Sequence, residues 1–192
     1  MKKVLIVLGV SLGVLLVLFL IIGMSLTGSY NRLVTLNEGV ESAWAQVETV
    51  LQRRYDLIPN LVNTVKGFAA QEREVFTEVT RLRSQWGAAR TTADKAQVAG
   101  RMEGALSRLL LVAERYPDLK SNQNFLALQD ELTGTENRIA VERRRYNQTV
   151  QNYNTTVRRF PTNLVAGFFG FERSTAYFEA SEGAESAPTV EF

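Results

Sequence analysis

Two side-chain types are absent from the 192 residues: cysteine and histidine. Without cysteine there is no disulfide framework, no thiolate metal site and no cysteine nucleophile. Without histidine the chain lacks the usual general base, the commonest metal ligand and every catalytic triad built on imidazole. Neither sign of charge is in real excess, with 22 basic and 20 acidic residues, so no strongly basic surface calls for nucleic acid. No phosphate-binding glycine loop, metal-ligand spacing or nucleophile elbow occurs. No cofactor is expected. Sustained two-residue alternation and hairpin dipeptides are missing as well, which excludes strands and leaves an all-α chain.

What is present begins with an uncharged run. Between Lys3 and Arg32 there is no charged side chain, and from Val4 to Met24 nearly every residue is Val, Leu, Ile, Phe or Gly. At about 1.5 Å per residue this stretch spans roughly 30 Å, the thickness of a bilayer's hydrocarbon core. A cleaved signal peptide would carry a shorter apolar region, roughly 7–15 residues, and a small-x-small cleavage site. Ser25-Leu26-Thr27-Gly28-Ser29 supplies a poor one. Residues 1–29 are therefore expected to remain as a single transmembrane anchor in a lipid bilayer. Lys2 and Lys3 outnumber Arg32 across the span, which places the N-terminus in the cytoplasm and the rest in a periplasm or wall space. Gly9 and Gly13 form a small-xxx-small pair through which two such helices could pack, although glycine is also simply common in membrane helices.

Behind the anchor, apolar residues recur every three or four positions, the stripe of amphipathic helices. One run carries Leu33, Leu36, Val40, Val47 and Leu51, and resumes as Ile58, Leu61, Val65, Phe68, Val75, Val79, Leu82 and Trp86. Pro59 interrupts it. Inside a helix a proline costs about 3 kcal/mol, so the chain either kinks there or turns back with Pro59 opening a second helix. The short connections favour the second arrangement, an antiparallel up-and-down bundle of four helices. Thr92 is expected to cap the next helix, which Pro117 stops, and Ser121 or Asn122 to cap the longest one. Leu164 to Phe171, with Phe168, Phe169 and Phe171, is apolar for a chain end and suits either a membrane surface or the open end of a bundle. Residues 172–192 read as a disordered tail.

Several polar groups recur within this pattern. Tyr146-Asn147 and Tyr153-Asn154 stand seven positions apart on one helix face. They suggest a buried hydrogen-bond ladder fixing helix register, with a ligand-gripping role as the alternative. Arg53, Arg54 and Asp56, with Arg143, Arg144, Arg145, Glu131 and Glu136, suggest ion pairs between helices, or a site for an anionic headgroup or glycan. Carboxylates abound, but a glycosidase needs a cleft that narrow bundles seldom provide.

Arg53-Arg54-Tyr55-Asp56-Leu57-Ile58-Pro59-Asn60-Leu61-Val62 resembles the signature of the LemA family, as do Ala43-Trp44-Ala45-Gln46-Val47 and Val65-Lys66-Gly67-Phe68-Ala69. Ala113 to Lys120, Asn124-Phe125, Thr135 to Ile139, the Tyr-Asn pairs and Phe160-Pro161 extend the likeness over roughly 30–171. The resemblance implies a membrane segment followed by an antiparallel four-helix bundle in a bacterial, membrane-associated protein without established catalytic activity. It also points to similar domains in magnetosome-membrane proteins. Many relatives carry a lipoprotein cysteine just before a Tyr-Asn pair that corresponds to Tyr30-Asn31; Ser29 stands at that position, so the span must anchor the chain unaided.

The expectation is a non-enzymatic protein of the bacterial inner membrane that self-associates into a homo-oligomeric scaffold and organises the membrane. The alternative is an adaptor for another membrane or envelope protein, bound through one bundle face.

Overall fold

The computed structural model describes residues 2–178, and the expected tail from residue 179 onward lies outside them. Every regular element among the described residues is helical: α1 (Lys2–Phe68), α2 (Arg73–Ala88), α3 (Thr92–Arg115), α4 (Pro117–Lys120), α5 (Gln123–Arg158) and α6 (Thr162–Phe169). The all-α expectation holds. The chain divides into two compact units: residues up to Glu41 with Thr149–Ser174, and Ser42–Gln148 with the residues from Thr175 on. Each unit has its own buried residues.

Pro59 does not turn the chain back. It lies inside α1, which continues to Phe68; the reversal comes at the non-helical residues Ala69–Glu72. Proline has no N–H for the carbonyl four residues earlier, which here is that of Tyr55. Arg83 on α2 supplies the missing donor, its Nε reaching the Tyr55 carbonyl at 3.4 Å. A neighbouring helix thus takes over the bond that the proline deletes, and the apolar stripe passes the site unbroken. Arg83→Ala should cost about 0.5–1 kcal/mol in a chemical denaturation series. That cost should vanish in a Pro59→Ala background, where residue 59 serves the carbonyl itself.

Local capping and proline chemistry mark several of the other boundaries. Thr91, one residue ahead of the expected Thr92, accepts the Asp94 N–H at 3.1 Å and donates to the Asp94 carboxylate at 2.7 Å. Pro117 opens α4 at a position where no N–H is needed. Asn122 Oδ1 accepts the Phe125 N–H at 3.1 Å and so starts α5. Gly170 takes the left-handed conformation (φ 75°) that closes α6, and the Phe171 N–H returns to the Ala166 carbonyl at 2.9 Å.

In the first unit, Leu33, Tyr153, Val157, Val165 and Ala166 are buried together, with Leu36, Val40 and Phe171 packed against them. The Tyr30 ring lies 4.8 Å from that of Phe169 and 5.8 Å from that of Phe171. The second unit buries Leu51, Ile58 and Leu61 of α1, Val79 and Leu82 of α2, Met102 and Leu109 of α3, and Phe125 and Ile139 of α5. Tyr55 and Trp86 stack there with ring centroids 4.5 Å apart and planes 14° from parallel. Among the described residues, the large apolar side chains from Leu12 to Met24 of α1 have no such partners. From Leu12 to Met24 its large side chains are exposed, Phe19 to 76 %, and the helix is long and apolar enough to cross a membrane.

Candidate functional site

A side-chain amide carries one acceptor and two donors, so an asparagine can pair with both the N–H and the C=O of one extended residue. Asn147 on α5 does this to Phe178: its Nδ2 donates to the Phe178 carbonyl at 2.8 Å, and its Oδ1 accepts the Phe178 N–H at 3.0 Å. The Phe178 ring meanwhile stacks on Trp44 (centroids 5.8 Å, planes 17° apart) and meets Tyr146 edge-on at 5.8 Å. The Arg143 guanidinium lies 5.0 Å from its centroid, close enough for a cation–π contact. Trp44 and Tyr146 also pack edge to face at 5.6 Å. Together these residues of the second unit form a seat for one aromatic residue held by its main chain.

The first unit repeats the device. Asn154 donates to the Ser174 carbonyl at 2.8 Å and accepts the Ser174 N–H at 2.9 Å. The Tyr153 hydroxyl donates to the Glu172 carbonyl at 2.8 Å, and burial, then the Glu172 charge, raises its pKa. The Tyr-Asn pairs therefore grip the non-helical C-terminal segment, where the sequence suggested a ladder setting helix register. The reason is supply: helical backbone is already paired within itself, whereas residues 171–178 lie outside any helix. For the same reason the tail does not begin as free chain at residue 172.

Arg54 on α1 is buried with only 4 % exposure. It is ion-paired to Glu136, and Arg143 pairs with Glu103 at 3.0 Å. Arg54 Nε and Nη1, Arg143 Nε and Nη2, and the Tyr55 hydroxyl have no hydrogen-bond partner among the described residues. Burial, reinforced by the charge of Arg143, pulls Arg54 down to about 10, while Glu103 opposes the shift. Burial pushes the Tyr55 phenol well above its ordinary value.

A testable consequence follows at alkaline pH. Once pH passes 10 the unfolded chain loses the Tyr55 proton while the folded chain keeps it. At this site the unfolded state then binds fewer protons, so the Tyr55 contribution to stability falls as pH rises, against the opposite contribution of the lowered Arg54. Tyr55→Phe removes this loss together with a buried hydroxyl that has no partner. The variant should match or exceed the parent by about 1 kcal/mol at pH 8 and widen its lead above pH 10, as read from urea midpoints.

The remaining expected residues are placed as follows. Arg53 pairs with Glu131 at 2.9 Å across α1 and α5, both side chains largely exposed. Asp56 accepts from Gln52 at 2.8 Å on one helix face, the Asn60 carbonyl accepts from Thr64, and Arg145 pairs with Glu142. A Cβ added at Gly9 or Gly13 meets no atom within 4 Å. Phe168 is 85 % exposed and Phe169 55 %. Sequence reasoning missed Phe178, Ser174, Glu103 and Arg83. Of these only Phe178 gave a signal, as part of an aromatic pair, Tyr177-Phe178, leading into a polar tail.

The sequence model of the LemA family matches residues 43–192, a range that takes in the seat and both asparagine clamps. The chain belongs to the LemA family. It is similar to magnetosome protein MamQ 2 of Paramagnetospirillum magneticum, 28% identical over 180 residues covering 80% of this chain. Magnetosome protein MamQ of Magnetospirillum gryphiswaldense is 27% identical over the same share. The chain spans 66% of the length of these magnetosome relatives. Protein LemA of Metamycoplasma hominis is 25% identical over 158 residues, covering 81% of this chain and 71% of that protein. The family match starts at residue 43, so the apolar span lies ahead of the region that carries membership.

Proposed function

We propose that this LemA-family protein is a non-enzymatic scaffold, anchored by its N-terminal span in a bacterial inner membrane and self-associating into an oligomer that organises that membrane. On this reading the N-terminus is cytoplasmic, and the helices behind the span pack as an antiparallel four-helix bundle outside. The observation that carries the proposal is the pattern of exposed apolar surface. The start of α1 exposes Leu12 to Met24, and α6 exposes Leu164 and Phe168 to 61 % and 85 %. Surfaces of this kind mark contact with lipid or with another protein. Confinement in a membrane raises the effective concentration of each copy for its neighbours. The magnetosome relatives agree with a role at a membrane-bounded structure.

Light scattering on the full-length protein in mild detergent tests the reading. A multimer that cross-links to itself is the expected result; a strict monomer at working concentration overturns it. Phe168→Asp should shift the distribution towards smaller species if the α6 face packs between copies, and Gly13→Ile should do so if the spans pack through their glycines.

A further inference from the structure

We propose that the Trp44–Tyr146–Arg143–Asn147 seat is an exchange site, filled in the assembled protein by the C-terminal segment of a second copy. The inference rests on the self-associating scaffold and names the contact that links its members. The seat recognises its occupant in two ways: both polar arms of Asn147 go to main-chain atoms of residue 178, and a ring fills the space between Trp44, Tyr146 and Arg143. Nothing in that recognition distinguishes one copy's Phe178 from another's.

The occupant is a terminal segment outside the helices, held only by groups that a second copy also carries. Residues 171–178 form no helix, and Glu172, Arg173, Thr175 and Tyr177 among them are exposed. The segment follows Gly170, whose left-handed conformation ends α6 and whose lack of a Cβ permits other backbone angles. Eight residues reach about 26–29 Å when extended, a little more than the width of two packed helices at about 10–12 Å each. Crossing to an adjacent molecule over that length releases Glu172 and Ser174 from Tyr153 and Asn154 as well as Phe178 from its seat, and the neighbour's own Tyr153 and Asn154 offer the same bonds. Exchange of an identical element between copies replaces each contact by its equal, so its cost is low, and confinement in one membrane keeps the neighbour's seat close. The exposed Leu164 and Phe168 of α6 lie just ahead of the segment and would be covered by the neighbour that receives it.

Complementation between two broken copies tests this in the full-length protein. One copy carries Asn147→Ala, which disables its seat and leaves its segment intact. The other carries Phe178→Ala, which leaves its seat intact and empties its segment. Hydrogen exchange is followed by mass spectrometry at the peptide containing Phe178, which only the first copy contributes. Alone, that peptide should exchange about tenfold faster than in the parent protein. Solubilised together with the second copy and returned to vesicles, it should recover most of its protection. No recovery, with light scattering still reporting a multimer, overturns the exchange and leaves the scaffold standing. No recovery from a strict monomer removes both. Slow exchange in α3 confirms that each variant is folded, and Trp44→Ala serves as a second way to disable the seat.

Discussion

Replacing Glu136 by alanine is expected to cost about 3 kcal/mol of unfolding free energy, although Glu136 itself is a partly exposed surface carboxylate. The loss falls on its partner. Arg54 is buried with 4 % exposure, faces the like charge of Arg143 and has two guanidinium nitrogens with no partner. Removing one member of a buried pair costs about 3–5 kcal/mol when nothing else compensates the other; the Glu103 charge, which still favours the Arg54 cation, trims that loss. The Glu136 side chain is 36 % exposed, and that solvent screening puts the figure at the lower end. The counter-test is Arg54→Met, which deletes the stranded charge and keeps much of the volume. In the Glu136→Ala background it should recover most of the loss, because desolvated charge, not missing contact, is what hurts. Trp86, stacked on Tyr55 beside Arg54 in the chain, offers a fluorescence signal for the cycle. If the double variant is no better than Glu136→Ala alone, the cost does not come from the buried charge. Arg53, one residue away and paired to Glu131 with side-chain exposures of 55 % and 42 %, should lose well under 1 kcal/mol on truncation to alanine.

That contrast shows what could be read before the structure. The helical stripe announced the buried Leu33, Leu51, Ile58 and Leu61, because a period near 3.6 follows from helix geometry alone. The Tyr-Asn repeat was visible too, but not its target. Whether an asparagine on a helix bonds a neighbouring helix or a returning segment depends on which backbone groups lie unpaired beside it, and that is tertiary information. Pro59 misled for a related reason. Its cost is local and certain, whereas the compensating Arg83 stands 24 positions later on α2. Likewise Glu136 was paired correctly in kind with the arginine cluster, but Glu103 on α3 was not foreseen as the counter-ion of Arg143. Ionic partners far apart in sequence leave no periodic trace.

Deleting residues 1–29 should move the protein completely from the membrane fraction to the soluble fraction while leaving its helices and their unfolding transition intact. Eleven large apolar side chains between Leu12 and Met24 are each about half exposed or more, and none of them is buried against protein. At about 1.5–3 kcal/mol per side chain fully removed from water, their transfer into lipid is worth on the order of 20 kcal/mol. No exposed salt bridge or surface aromatic competes with a term of that size. The folded units lose little by the cut, since Tyr30 and Leu33, where α1 first meets the aromatic and buried residues of its unit, lie beyond it. Sedimentation of lysate from a bacterium expressing the truncated chain, with circular dichroism of the purified product, reads both halves of the prediction. A truncated chain that still pellets would assign part of the anchoring to the exposed Leu164, Phe168 and Phe169 face of α6, and adding Phe168→Asp should then release it. A truncated chain that unfolds would mean instead that the span is covered by protein, and the anchor would have to be sought elsewhere.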